Sequence, residues 1–491
     1  MKNIKSGLLA GVAAFAMAAS FSGAAWSQAA PVAMENVSIS DIPYEQITSF
    51  EQVRLNWVRK AQEGPIKHDY AVQVVREFPA VDPIFKPEPG GVYVYEATGR
   101  GGHPDRAPEE KTTSKSNRII VLDAKTRDVV AWNEFAPELA GSIHTTALSP
   151  DGSSVYTTGP VITADTAKEV SGLDLLALTG TVIKADALSL APTKVLNVGG
   201  RLHHAFVWKD ELMIMDTFSR EPNGLDVFVF DPKTDTILGG VRDEELGGAT
   251  YTSYLDPAHE NLYILMEPTG YTGNAMTEGY LAAGSMRTGA LRWAKPFWVA
   301  KVRLSDWTVV QEYPYPGYRS DWLQFSPDGK FFYVNGSGDD KVIKISVETG
   351  EVVWSQATGP GPYGIEVNGD GSQVWVADKG ETASMFGRTI TVINAETGKH
   401  ISTLPSAYMI DHLILSPNGK EIWATSNGEG KLWVYDGDTR KLLDVVDMPG
   451  FGDAHGLVFV AYDANGNAQV VADQGDFHAG IDPRNGKPLS Y

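Results

Sequence analysis

This chain of 491 residues has ten histidines and no cysteine. His144, His203-His204, Asp411-His412 and His455 each stand at the head of a short apolar run that ends in a Gly/Pro/Asp/Asn-type turn, and Tyr251, Asp321 and Tyr363 head three further runs of the same kind. Imidazoles held neutral and close together are ligands for copper, zinc or iron, and carboxylates widen the choice. The lack of any thiolate excludes covalent c-type haem, iron–sulfur clusters and thiolate copper centres. A single histidine in such a place reads equally well as a core residue tying neighbouring strands by hydrogen bonds. Recurrence at one structural position is what argues for a site.

The elements that must position these residues are strands. The stretch Asp321-Trp-Leu-Gln-Phe-Ser-Pro-Asp-Gly is followed by Lys-Phe-Phe-Tyr-Val-Asn, by Lys341-Val-Ile-Lys-Ile-Ser, by a Glu-Thr-Gly turn and by Glu351-Val-Val-Trp. Four short strands joined by proline-set and glycine-permitted turns make one blade of a β-propeller. Aligning the chain on the first turn of each unit finds eight starts, at Val81, His144, His203, Tyr251, Asp321, Tyr363, Asp411 and His455. The expectation is all-β: a single propeller of four-stranded blades, eight by this count with seven as the alternative. Tyr70 to Phe78 is an orphan strand that would close the ring on the C-terminal blade and remove its free edges. The propeller domain spans 70–491, after a signal peptide at 1–29 and an extension at 30–69. In that extension Ser49, Gln52, Phe50, Val53, Trp57 and Val58 predict a short helix over 49–62.

In a propeller every innermost strand begins on one face near the axis, so equivalent residues of all blades converge there. The candidates for metal are His103, His144, His203, Asp321, His412, His455 and His478, with His103 and His478 on loops opening to the same face. His204 and His412 could replace their neighbours if a strand is turned by one position, but strict alternation sends His203 and His204 to opposite sides. Trp208, Trp322, Trp375, Trp423 and Trp433 read as packing between blades. Insertions at Gly99–Asn117 and Glu267–Phe297 interrupt the spacing, and long loops on a rigid scaffold are where function tends to sit.

Lys2, Lys5, an apolar run from Leu8 to Phe21 and Ser27-Gln28-Ala29 predict export and cleavage, hence a periplasmic protein without membrane insertion. The formal charge of −20 argues against nucleic acid as a partner. A homo-oligomer is left open.

The strands Tyr333-Val-Asn and Trp375-Val-Ala-Asp, with the Ser-Pro-Asp/Asn-Gly and Glu-Thr-Gly turns, resemble the YVTN-type propellers of exported bacterial proteins. With the histidine set, the chain also resembles the copper-bearing propeller oxidoreductases, thiocyanate dehydrogenase and the catalytic domain of nitrous oxide reductase. That resemblance implies two or three copper ions and catalytic roles for Lys67, His68 and Glu267, although strand direction places Lys67 and His68 on the far face. The implied reaction oxidises a small anion, thiocyanate, with water to cyanate and sulfur, and passes electrons to an acceptor such as cytochrome c. Three alternatives stand beside it: a lactonase or hydrolase with one divalent metal on Asp321, Asp411 and Glu267, a haem-handling propeller, and a non-enzymatic binding propeller.

Overall fold

The computed structural model describes residues 66–99, 116–141, 143–160, 180–218, 221, 223–268, 298–314, 319–380 and 386–491. The expected signal segment, the expected helix at 49–62, His103 and most of both insertions lie outside them.

Seven sheets surround one axis. Named by their innermost strands, blade 1 begins at Thr146–Leu148, blade 2 at Arg201–Trp208, blade 3 at Gly248–Leu255, blade 4 at Leu323–Phe325, blade 5 at Pro362–Val367 and blade 6 at Ile410–Leu415. Blade 7 is composite: its innermost strand Asp453–Tyr462 comes from the C-terminal region and pairs with Val92–Gly99, which continues to Arg118–Asp123 and Val129–Glu134. The count of eight is thereby corrected to seven. The starts assigned to Val81 and His455 belong to one blade, split between the two ends of the chain. Val81 is 55% exposed and outside any strand. Pro83, Pro87 and Pro89 follow it, and proline cannot donate to a ladder.

Ring closure differs from expectation for the same reason. The N-terminal strand, Gln73–Glu77, does not meet the C-terminal blade but adds to Pro192–Asn197, the outer strand of blade 1. The seal is the ladder from Val92↔Ala461 to Gly99↔Asp453. Among the described residues, α-helix is limited to one turn, Asp243–Leu246.

Burial follows position within a blade. Inner and second strands such as Pro362–Val367 and Gln373–Asp378 are buried throughout, because each sheet is covered by its neighbours on both faces. Outer strands such as Val352–Ala357 alternate between half-buried and exposed. Trp375 and Trp423 are wholly buried and pack blade on blade, as expected. The Ser-Pro-Asp/Asn-Gly turns behave as their chemistry requires: Gly152, Gly329 and Gly419 have φ of 64°, 65° and 74°, and the Ser326 hydroxyl accepts from Phe331 N–H at 3.0 Å.

The tail beyond blade 7 turns back as Ala468–Asp473 and Asp476–Phe477, pairing inside the innermost strand. From there it meets the turn side of the other blades. Val470 N–H donates to Pro150 O, Val207 N–H to Asp473, and Leu489 N–H to Pro417 O. Arg484 is bound by Asp476 at 2.8 Å and by Glu366 of blade 5. The tail plugs that end of the axis.

Candidate metal centre

Alternation along the inner strands is broken by β-bulges where they enter the axis. In blade 2 the register moves from Met215↔Ala205 to Thr217↔Leu202, so His203 and His204 together oppose Asp216. Blade 6 does the same, with Asp411 and His412 in the gap between Ile410↔Ser426 and Leu413↔Ala424. The freed bulge N–H groups are taken by second-strand side chains: His204 N–H by Asp216 at 2.8 Å and His412 N–H by Thr425 at 3.1 Å. In blade 4 Asn335, from the Tyr-Val-Asn strand, accepts from both Asp321 and Trp322 N–H at 2.9 Å. In blades 2 and 6 two consecutive side chains therefore reach the axis, and the expectation that His203 and His204 diverge is corrected.

The outcome is a closed circuit of five imidazoles. Ring centroids are 5.4 Å apart for His144 and His203, 4.1 Å for His203 and His204, 5.4 Å for His204 and His412, 5.5 Å for His412 and His455, and 5.0 Å for His455 and His144. Two imidazoles sharing an ion at ordinary metal–nitrogen distances have centroids about 4.5–5.2 Å apart, close to these spacings. Burial pushes His144, His203, His204 and His412 well below the usual histidine range, so they are neutral.

Hydrogen bonds decide which nitrogens are open. Asp216 accepts from His204 N–H, Ser253 N–H, the Ser253 hydroxyl and the Thr252 hydroxyl. With its proton given to Asp216, the Thr252 oxygen accepts from Nδ1–H of His204 at 2.7 Å. Nε2 of His204 then carries the lone pair; it is buried and has no hydrogen-bond partner among the described residues. Nδ1 of His412 lies 2.5 Å from the amide nitrogen of Gln474, and its Nε2 is buried with no hydrogen-bond partner among the described residues; turning the amide over would put the proton on Nδ1 and the lone pair on Nε2. An imidazole pinned through one nitrogen with the other free is the usual arrangement of a metal ligand. One ligand atom each from His203, His204 and Asp216 also lie within 4.8 Å of one another, so this triad could hold an ion.

His455 is engaged differently. Its Nε2 is 2.8 Å from Asp411 and its Nδ1 3.0 Å from Asp453. Burial opposes its charge, but the two carboxylates prevail and raise it to about 9. Asp411, buried yet facing Lys379 at 3.0 Å and His455, is held below the usual carboxylate range. His455 thus lies between two carboxylates that favour its charged form, with the Asn427 amide also 2.6 Å from its Nε2.

The remaining expected residues scatter. Asp321 reaches the axis, but its oxygens go to Arg319 at 2.9 Å and to the Ser337 hydroxyl. His478 is not on this face: it sits in the C-terminal tail with Nε2 on Asp473 at 2.7 Å and its ring 5.8 Å from His259. His68 bridges to Gly240 at the end of the outer strand of blade 2 and bonds Glu245 at 2.7 Å. The antiparallel order puts that strand end on the imidazole face, contrary to expectation, but at the rim, with Lys67 exposed beside it. Glu267 pairs through its backbone with Ala249 in the second strand of blade 3.

Residues the sequence reading passed over fill the gaps. Trp322 packs between blades as expected, against Tyr254 and Tyr363, and its ring also lies 4.7 Å from His412 and 5.6 Å from His204. Lys379 lies 3.9 Å over the Tyr363 ring as well as on Asp411. Glu96 is fully buried with both carboxyl oxygens unpartnered among the described residues, and burial raises it well above the carboxylate range, so it is a neutral acid near His455. It is opposite the bulge between His455 and Val458. None of the three carries a sequence signal beyond its type.

No protein-family model matches the chain. It is 28% identical over 144 residues to the seven-bladed beta-propeller protein Rv1057 of Mycobacterium tuberculosis, a match covering 29% of this chain and 36% of that protein. Among solved structures it is similar to the periplasmic gluconolactonase PpgL of Pseudomonas aeruginosa, with 13% identity, TM-score 0.48, and coverage of 74% of this chain and 99% of that one. It is also similar to the dihydro-heme d1 dehydrogenase NirN, with 12% identity, TM-score 0.45 and 79% of each chain covered. At such identities and scores these structures bear on neither substrate nor chemistry.

Proposed function

We propose that the axial imidazoles bind a divalent transition-metal ion and that the protein is a metal-dependent enzyme acting on a small anion. The observation that carries this is the pair of buried Nε2 atoms of His204 and His412, without hydrogen-bond partners among the described residues, within a closed circuit of five imidazoles. Those two residues would hold the ion, with His203 and His144 beside them. An all-nitrogen set without thiolate suits copper or zinc. Such an ion, when bound, supplies Lewis-acid activation of water or of the anion and, in the case of copper, one-electron redox capacity. The chain's own groups supply charge and protons: the Lys379 ammonium attracts an anion, His455 between Asp411 and Asp453 holds a proton, and Glu96 holds another. Along the axis the described residues leave a cavity of about 20 Å³ lined by Trp322, His412, Gly456 and Gln474.

The finer reading is a periplasmic copper oxidoreductase of the thiocyanate-oxidising kind, delivering electrons to a cytochrome c; it rests on the resemblance of the motifs. A second reading, a one-metal hydrolase or lactonase, is favoured by the His203, His204 and Asp216 triad, because two imidazoles and a carboxylate are a donor set of hydrolytic zinc sites. Full-length protein reconstituted with copper or with zinc, dialysed and assayed for bound metal should retain at least one tightly held equivalent, lost in His204→Ala and His412→Ala. Absence of tight metal in the wild type, or unchanged content in both variants, overturns the proposal. Thiocyanate-dependent reduction of cytochrome c by the copper form, against ester or lactone hydrolysis by the zinc form, separates the two readings.

A further inference from the structure

With the tail plugging the turn side, the axis is approached from the imidazole face, and the side chains that line that approach are not all imidazoles. His144, His203 and His455 come from blades 1, 2 and 7, while blades 3 and 5 contribute the phenols Tyr251 and Tyr363, and blades 4 and 6 the carboxylates Asp321 and Asp411. The tyrosines owe their place to the same device as the histidines. The register of blade 3 moves from Thr250↔Met266 to Ser253↔Ile264 and that of blade 5 from Pro362↔Asp378 to Ile365↔Val376, so each tyrosine is the first residue of a bulge pair. Among the described residues His144 and Tyr251 are half-buried and the other five are buried. The way in is bordered by an imidazole and a phenol.

The two phenols meet across blade 4. Their hydroxyl oxygens are 3.3 Å apart, a long contact beside the roughly 2.7–2.8 Å usual between hydroxyls. The Tyr251 ring stands 5.1 Å from His203, and the Tyr363 ring stacks at 5.9 Å on His412, so each phenol borders an imidazole of the candidate centre. Lys379 lies 3.9 Å over the Tyr363 ring and Arg319 5.3 Å from the centre of the Tyr251 ring. A cation on the ring face draws charge from the phenol and makes its O–H a stronger donor. Both carboxylates of this face are matched, Asp321 by Arg319 at 2.9 Å and Asp411 by Lys379 at 3.0 Å, so they do not bar an anion. Burial holds Tyr251 well above the ordinary phenol range, which keeps its proton in place.

We propose that Tyr251 and Tyr363 are the residues that select the anion, their hydroxyls turning from each other to donate to the end of it that faces away from the imidazoles. This rests on the reading of the axial centre as a metal site for a small anion, and it narrows that class. An anion with an acceptor atom at each end meets both the imidazole side and the phenol pair, whereas a halide offers one atom to both.

Copper(II)-loaded full-length protein, titrated with sodium azide and followed by the azide-to-copper absorption band, tests it. The wild type should bind azide saturably. Tyr251→Phe and Tyr363→Phe keep the ring and its cation contact, and should keep the copper content, but should weaken azide about 10–100-fold, the loss of one hydrogen bond to a charged acceptor. Chloride, measured by its competition with azide, should weaken far less. Unchanged azide affinity in both copper-loaded variants, or an equal loss for azide and chloride, overturns the phenol pair alone and leaves the metal centre standing. Wild-type protein that holds no metal overturns the axial reading and this inference with it.

Discussion

Gln474→Leu is the sharpest probe of how the fold makes an imidazole into a ligand. Gln474 belongs to the tail and reaches across the plugged end of the axis to Nδ1 of His412 at 2.5 Å. Its amide nitrogen faces the ring; turning the amide over, which keeps the same contact, presents its oxygen to accept Nδ1–H and frees the Nε2 lone pair for a metal ion. Leucine matches the volume and removes the acceptor, so the effect is electrostatic and orientational, not one of packing. Losing such an outer partner weakens metal binding about 10–100-fold, or roughly 1.4–2.8 kcal/mol. Leaving buried Nδ1 unsatisfied lowers folding stability by about 1–3 kcal/mol. Gln474→Glu presents only oxygens to the ring and should keep the affinity. The assay is competition of copper or zinc against a chromophoric chelator, with urea unfolding of the metal-free protein alongside. Equal affinities for wild type, Gln474→Leu and Gln474→Glu, in a protein where His412→Ala abolishes binding, would refute the positioning argument.

Two further outcomes follow from the described contacts. Burial raises Asp378 to about 7, against an ordinary aspartate in the unfolded chain. A folded value above the unfolded one makes its contribution complete below about pH 4 and lost as pH rises through 7, for a total of about 4 kcal/mol. Asp378→Asn should flatten that part of the stability profile, as read from urea midpoints between pH 4 and 8; an unchanged slope refutes it. Arg484 is buried between Asp476 and Glu366, and Arg484→Met leaves Glu366 without its cation. The loss should be about 3–5 kcal/mol, with faster proteolysis of the tail; a shift below 1 kcal/mol would show that the tail is anchored elsewhere.

Much of the scaffold was legible because a blade is a local object. Ser326-Pro-Asp-Gly and Ser416-Pro-Asn-Gly form the turns that their residues demand, and the strands between them follow from the same spacing. The count of blades was not local. Asp453–Tyr462 and Val92–Gly99 are neighbours only after the ring has closed, and a repeat alignment sees each as a separate start. His478 was misplaced for the same kind of reason: the tail folds back beneath the ring, and no spacing announces that.

The sequence by itself determined a turn-punctuated β repeat and a histidine or acid at the head of several inner strands, because side-chain chemistry and turn preference act within a few residues. It determined that His144, His203, His412 and His455 would share one end of the axis. Only the tertiary structure decided which nitrogens are available there. Bulges opposite Asp216 and Thr425 rotate His204 and His412 inward, Asp411, Asp453 and Asn427 surround the nitrogens of His455, and Thr252 and Gln474, brought from other elements, engage Nδ1 of the two rings whose buried Nε2 atoms have no hydrogen-bond partner among the described residues. Ligand character rests on the partner of the second nitrogen, and that partner is supplied by chain closure, not by sequence proximity.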